Sequence, residues 1–152
     1  MFLTPHTSAA LWISTKVTDP IMAFILGVVS HIILDMVPHG DDSLTQHITN
    51  KRDKFYYELK IATVDTVLAG LLILIFIVNG PIVNSWVMLA AVFGSWLPDL
   101  TWLAIEYFRL HNFYNYVIYH GKLHNIFNWQ YSPVYGVPFQ IVVTLLMLKM
   151  SF

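Results

Sequence analysis

The chain has 152 residues, 57% of them hydrophobic and only 11% charged, with a formal net charge of −1 and a mean hydropathy of +0.61. Soluble domains carry roughly 25% charged residues, so this composition argues for a membrane protein, and no nucleic-acid-binding surface is evident. There is no cysteine, which excludes disulfides and thiolate metal sites and leaves histidine and carboxylate as the ligands open to a transition metal.

Read in chain order, residues 8–17 form a short apolar element containing Lys16, followed by the helix-starting turn Thr18-Asp19-Pro20. With the next segment it predicts an antiparallel helical hairpin. The N-terminus lacks the basic stretch and small-residue cleavage site of a signal peptide and is expected to stay in the mature fold. Residues 21–37, 61–83, 86–107 and 132–150 are each predominantly apolar over about 17 to 23 positions, and a hydrocarbon core of roughly 30 Å takes about 20 helical residues. The expected fold is therefore all-α: a single domain over residues 1–152, a polytopic helical membrane bundle with about four spanning helices plus a short N-terminal helix. A compact soluble all-α domain is the alternative, and the uncharged run 67–85 is the strongest point against it.

Orientation follows from the connections. Loop 39–60 carries Lys51, Arg52, Lys54 and Lys60, and loop 109–131 carries Arg109 and Lys122, whereas the opposite side has Lys16 and Lys149. The excess places both long loops in the cytoplasm. Trp86, Trp96, Trp102, Tyr107, Trp129 and Tyr131 read as an interfacial belt, and the basic run 51–54 as a topology signal with an attraction to anionic lipid.

Polar residues are costly in such segments and usually have partners and a role. His31 and Asp35 are one helical turn apart on one face, as are His120 and His124. His39 follows Asp35, Asp99 follows Pro98, Asp65 lies about a turn into its segment, and His6, counted back from the turn at 18–20, stands level with His31. All of these fall at one membrane face. The candidate metal ligands are His6, His31, Asp35, Asp99, His120 and His124, with His39 and Asp65 completing or supporting the shell. Histidine and carboxylate suit zinc, manganese or iron, a choice that ligand type alone does not make. The set exceeds the ligands of one zinc ion, which points to a dinuclear or trinuclear cluster bridged by a carboxylate such as Asp35. Taken singly, each has a plainer explanation: a hydrogen-bonded core histidine for His31, a loop helix with exposed imidazoles for His120 and His124, a helix cap for Asp99. Asp41 and Asp42 read as a solvated loop start, His47 and His111 lack partners at ligand spacing, and Glu106 suits a helix surface as well as a supporting role. Arg109 and Lys122 are candidates for phosphate binding.

There is no Gly-rich phosphate loop, no Ser-His-Asp order and no His-Glu-x-x-His. Gly27 to Asp35 and Phe93 to Asp99 echo each other weakly, a small-residue patch leading to an aspartate in each case.

His6, Ser30-His31-x-x-x-Asp35-x-x-Pro38-His39, Leu97-Pro98-Asp99 and the pair His120/His124 together resemble the bacterial inner-membrane family of membrane-bound metal-dependent hydrolases. They are similar, more distantly, to zinc-dependent phospholipase C and the single-strand-specific nucleases. The resemblance implies an all-α metal-dependent phosphoesterase, its cluster assembled between helices and facing the cytoplasm. The substrate would be a phosphoester, with a phospholipid as one form and membrane lipid as the surroundings. No nucleophilic side chain is called for, because water activated by the metals would attack. Secreted phospholipases also use their N-terminal amine, which is not expected of Met1 here. The competing expectations are a metal-ion or proton transporter, which needs polar groups at several depths, and a non-enzymatic structural membrane protein.

Overall fold

The structure, a computed structural model, describes residues 1–40, 42–45, 47–124, 126 and 132–152. Asp41, Trp129 and Tyr131 lie outside the described residues. Six α-helices account for the fold among the described residues: α1 (Leu3–Ser14), α2 (Pro20–Met36), α3 (Lys51–Asn79), α4 (Ser85–Tyr107), α5 (Tyr114–His124) and α6 (Pro133–Ser151), with short 3-10 turns at Asp42–Thr45 and His111–Phe113. No strand occurs among them.

The four longer helices start on side-chain caps that the sequence supplies. Asp19 accepts from the Ile21 N–H and Pro20 occupies the first position of α2. Asn50, Asn84 and Ser132 do the same for the N–H groups of Arg52, Trp86 and Val134. Each cap satisfies a donor that the helix itself cannot. The Asn50 cap carries α3 back to Lys51, so much of the expected loop 39–60 is helix. The expected loop 109–131 likewise contains α5.

Three helices, Arg52–Asn79, Ser85–Tyr107 and Pro133–Ser151, are long and apolar enough to cross a membrane. The 17 residues of α2 extend about 25 Å against a hydrocarbon core of roughly 30 Å. The outer sides of α3 and α6 expose Val64, Val67, Leu71, Ile141, Leu145 and Leu146 among others, an apolar surface consistent with lipid contact.

The centre of the bundle is α1. It packs against α2, α3, α4 and α6 and buries nearly every side chain from Pro5 to Ser14. The sequence places this element at residues 8–17. It starts at Leu3 because Asp65, from α3, accepts from the backbone N–H groups of Leu3 and Thr4 and from the Thr4 hydroxyl. That cap comes from across the bundle and leaves no local signal.

α2 and α4 make the closest crossing. A Cβ on Gly27 would lie 2.4 Å from the Ala91 carbonyl oxygen, and one on Gly94 would lie 2.3 Å from that of Phe24. Only glycine permits this approach, as at small-residue crossings between membrane helices. Trp96, expected in an interfacial belt, instead donates its indole N–H to the Thr7 hydroxyl at 2.8 Å and ties α4 to α1. Trp86 and Tyr107 are exposed at the two ends of α4, as belt residues would be.

Candidate metal centre

The Gly27–Gly94 crossing sets the register of the site. His31 is one turn beyond Gly27, Ser95 follows Gly94, and His31 Nδ1 meets the Ser95 carbonyl oxygen at 2.7 Å. A carbonyl only accepts, so Nδ1 carries the proton and the Nε2 lone pair points inward. His39 is held in the same way, its Nδ1 2.6 Å from the Val37 carbonyl oxygen. A backbone carbonyl that fixes the ring of a histidine is the usual outer partner of a metal ligand.

Asp35 stands at the middle. Its Oδ2 lies 2.8 Å from His31 Nε2, 3.0 Å from His124 Nε2 and 3.8 Å from His120 Nε2. Its Oδ1 lies 3.0 Å from His6 Nε2 and accepts a 2.8 Å bond from the Met1 amino group. Asp99 Oδ1 is 3.6 Å from both His31 Nε2 and His120 Nε2. The ring of His6 stacks on that of His31 with centroids 4.1 Å apart.

Near as they are, most of these atoms do not bond to one another. His6 Nδ1 and Nε2, His31 Nε2, His120 Nε2 and Asp35 Oδ2 are all buried with no hydrogen-bond partner in line. Burying one such group costs about 1–3 kcal/mol, so a cluster of them is unfavourable unless something positive sits between. Two ligands about 2.0–2.1 Å from a tetrahedral zinc ion lie about 3.4 Å apart, and the separations of 2.8 to 3.8 Å bracket that value. Two groups meet the requirement of ligand atoms within 4.8 Å of one another: His31, Asp35, Asp99 and His120, and Asp35, His39 and His124. Asp35 belongs to both, the position of a bridging carboxylate. The residues present fit a pair of divalent cations in donor type, spacing and count.

The site is graded from inside to outside. His6, His31 and Asp35 are 0 to 2% exposed, whereas His120, His124 and Asp99 are 12, 14 and 27% exposed. The open rim is thus formed by α5 and the Asp99 turn of α4. Burial, together with the adjacent His124, holds the His120 imidazole well below its usual range, at about 4, so it is neutral near pH 7 with a lone pair to offer.

The structure brings seven expected ligands together: His6, His31, Asp35, His39, Asp99, His120 and His124. Asp65 is not one of them, since both its carboxylate oxygens cap α1. Nor is Lys122 brought in. Two residues from each ligand histidine, it projects about 200° around α5, and its ammonium lies over the Tyr119 ring, 5.5 Å from the centroid. Arg109 is an exposed residue at φ 52° in the turn after α4 and belongs to neither ligand group. His47 makes an edge contact with Tyr57.

Three contributors go beyond the sequence reading. The Met1 amine, not expected at the site, does reach Asp35, through the placement of α1. Gln140 of α6 accepts from the Phe2 N–H at 2.8 Å and donates to the His39 carbonyl at 3.0 Å, joining two strands of the site. A buried amide in an otherwise apolar helix was the available signal. Tyr116 donates its hydroxyl to the Pro98 carbonyl at 2.9 Å and stacks on His120, docking α5 beside Asp99. Burial and the charges of Asp99 and Asp35 push its phenol up to about 12.

Set against known protein families, curated proteins and solved structures, the chain matches none.

Proposed function

We propose that this chain is a membrane-embedded metal-dependent hydrolase of the membrane-bound metal-dependent hydrolase type. In this reading α2 is the fourth spanning helix, the membrane is the bacterial inner membrane, and the cluster faces the cytoplasm, as the basic residues of 51–60 and 109–122 favour. The carrying observation is the convergence of imidazole nitrogens from α1, α2 and α5 on the buried Asp35 carboxylate, with His6 Nε2, His31 Nε2, His120 Nε2 and Asp35 Oδ2 left without a hydrogen-bond partner in line. The metal is zinc, with manganese or iron as alternatives, and the substrate a phosphoester.

Divalent cations held by His31, Asp35, Asp99 and His120 and by Asp35, His39 and His124 would supply positive charge for a phosphoryl oxygen and acidify water near neutral pH. The protein's own part is positional. Asp35 presents Oδ2 to His31, His120 and His124 and Oδ1 to His6 and the Met1 amine, and Ser95 and Val37 fix the tautomers of His31 and His39. Neutral His120 adds a donor at the rim, and Tyr116 holds its helix in place.

A transport function would need a polar route through the bundle. The buried hydroxyls of Ser8, Ser14, Ser95, Thr144 and Ser151 instead bond back to carbonyls of their own helices, which favours the hydrolase.

The test is metal quantification on purified protein and on His31→Ala and Asp35→Ala, with hydrolysis of phosphodiesters, phosphomonoesters and phospholipid measured alongside under added zinc or manganese. Stoichiometric metal in the wild type, its loss in both variants and a parallel loss of turnover are expected. A folded wild type that takes up no metal refutes the proposal.

A further inference from the structure

The depth of the cluster constrains what surrounds α5. Along α4, Asp99 is 14 residues from Ser85; along α3, Asp65 is 14 residues from Asn79; along α2, Asp35 is 15 residues from Pro20. At about 1.5 Å per residue, three helices put this level about 21 Å from the opposite ends of the bundle. In a hydrocarbon core of roughly 30 Å that leaves about 9 Å above the cluster, and tilting the helices increases it. His120 and His124 reach Asp35 and Asp99, so α5 runs within one side-chain length of the same depth.

α5 is amphipathic in an unusual sense. Tyr116, His120 and His124 face the cluster, while Tyr114, Ile118 and Tyr119 face outward, Ile118 46% and Tyr119 65% exposed. The helix packs against α2 and α4, with no comparable packing against α3 or α6, so it lies at the side of the bundle. Leu100, Tyr107, Phe108 and Phe113, at the end of α4 and in the turn before α5, are exposed as well. At 11 residues it is too short to cross.

We propose that α5 and the turn before it form an in-plane helix seated in the leaflet nearest the metal centre. Tyr114, Ile118 and Tyr119 then contact phospholipid, and Lys122, folded over Tyr119, carries its charge up to the headgroups. The rim formed by His120, His124 and Asp99 then opens toward lipid rather than bulk water, so a ligand approaches it from within the leaflet. This rests on the membrane reading above and is independent of hydrolysis.

The cysteine-free sequence allows single spin labels without background. Tyr114→Cys, Ile118→Cys and Tyr119→Cys are labelled in the full chain in phosphatidylcholine–phosphatidylglycerol vesicles. Val67→Cys on α3, Leu145→Cys on α6 and Lys16→Cys in the α1–α2 turn are the comparators, with metal content measured to verify the fold. Power saturation with oxygen and with a water-soluble nickel chelate reads the depth. The α5 labels are expected to favour oxygen, as those on Val67 and Leu145 do. Nickel-accessible α5 labels beside oxygen-accessible α3 and α6 labels overturn the in-plane helix alone. Nickel access at Val67 and Leu145 as well overturns the membrane reading and α5 with it.

Discussion

Gly27→Ala tests whether the helix crossing, rather than the ligands alone, builds the site. The new methyl would lie 2.4 Å from the Ala91 carbonyl oxygen, with the Ser95 nitrogen at 3.0 Å and the Gly94 carbonyl carbon at 3.2 Å. All three are backbone atoms, so no rotamer change relieves the clash. Ordinary contact begins near 3.4 Å, so α2 and α4 must part by about 1 Å. His31 is one turn from Gly27, and a comparable shift lengthens its 2.7 Å bond to the Ser95 carbonyl to about 3.7 Å, beyond hydrogen-bond range. Overpacking of this kind costs about 1–3 kcal/mol and the lost bond about 0.5–1.5 kcal/mol. Removing an outer partner of a ligand histidine typically weakens metal binding about 10- to 100-fold. Competition with a chromogenic chelator in detergent reads the affinity, and thermal unfolding reads the stability. Gly70→Ala is the control, because its Cβ meets nothing within 4 Å. Wild-type metal affinity in Gly27→Ala would show that the crossing does not govern the site.

Asp65→Ala loses the cap on α1 and about 0.5–2 kcal/mol of stability but keeps its metal, an outcome that quantification separates from that of Asp35→Ala. Gln140→Leu leaves the Phe2 N–H and the His39 carbonyl without this partner, each worth about 1–3 kcal/mol, so its unfolding midpoint falls well below that of Thr144→Val. Metal-free protein loses stability as pH falls from 6.5 toward about 4, because His120 and His6 in the unfolded chain take up protons that the folded, desolvated rings resist; unfolding curves of wild type and His120→Gln across that window separate the His120 share, and a slope that His120→Gln leaves unchanged contradicts the burial assigned to His120.

The parts of this architecture legible in the sequence are those with local causes. The four longer helices declare themselves by apolar length, and α2 also by its starting turn at Asp19 and Pro20, whereas the Asn50 cap that extends α3 into the expected loop 39–60 is no part of that reading. The pairs His31/Asp35 and His120/His124 follow from helical spacing, and their meeting from the depth at which each falls. What could not be read depends on contacts across the bundle. Asp65 resembles a ligand until α1 is seen resting on it, and Trp96 resembles a belt residue until Thr7 is seen against its indole. The positions of the Met1 amine and of Gln140 follow from α1 being enclosed, which no periodicity encodes. Length alone does not decide α2, whose 17 residues are fewer than a clear span takes.

That enclosure bears on how the protein is made. A twelve-residue helix carrying His6, Thr7, Ser8 and Ser14 cannot be released into a bilayer by itself, because it neither reaches across nor hides its polar groups. It is sheathed by α2, α3 and α4 and also by α6, the described helix farthest from it along the chain. Biogenesis must therefore hold α1 at the interface until α6 has been made.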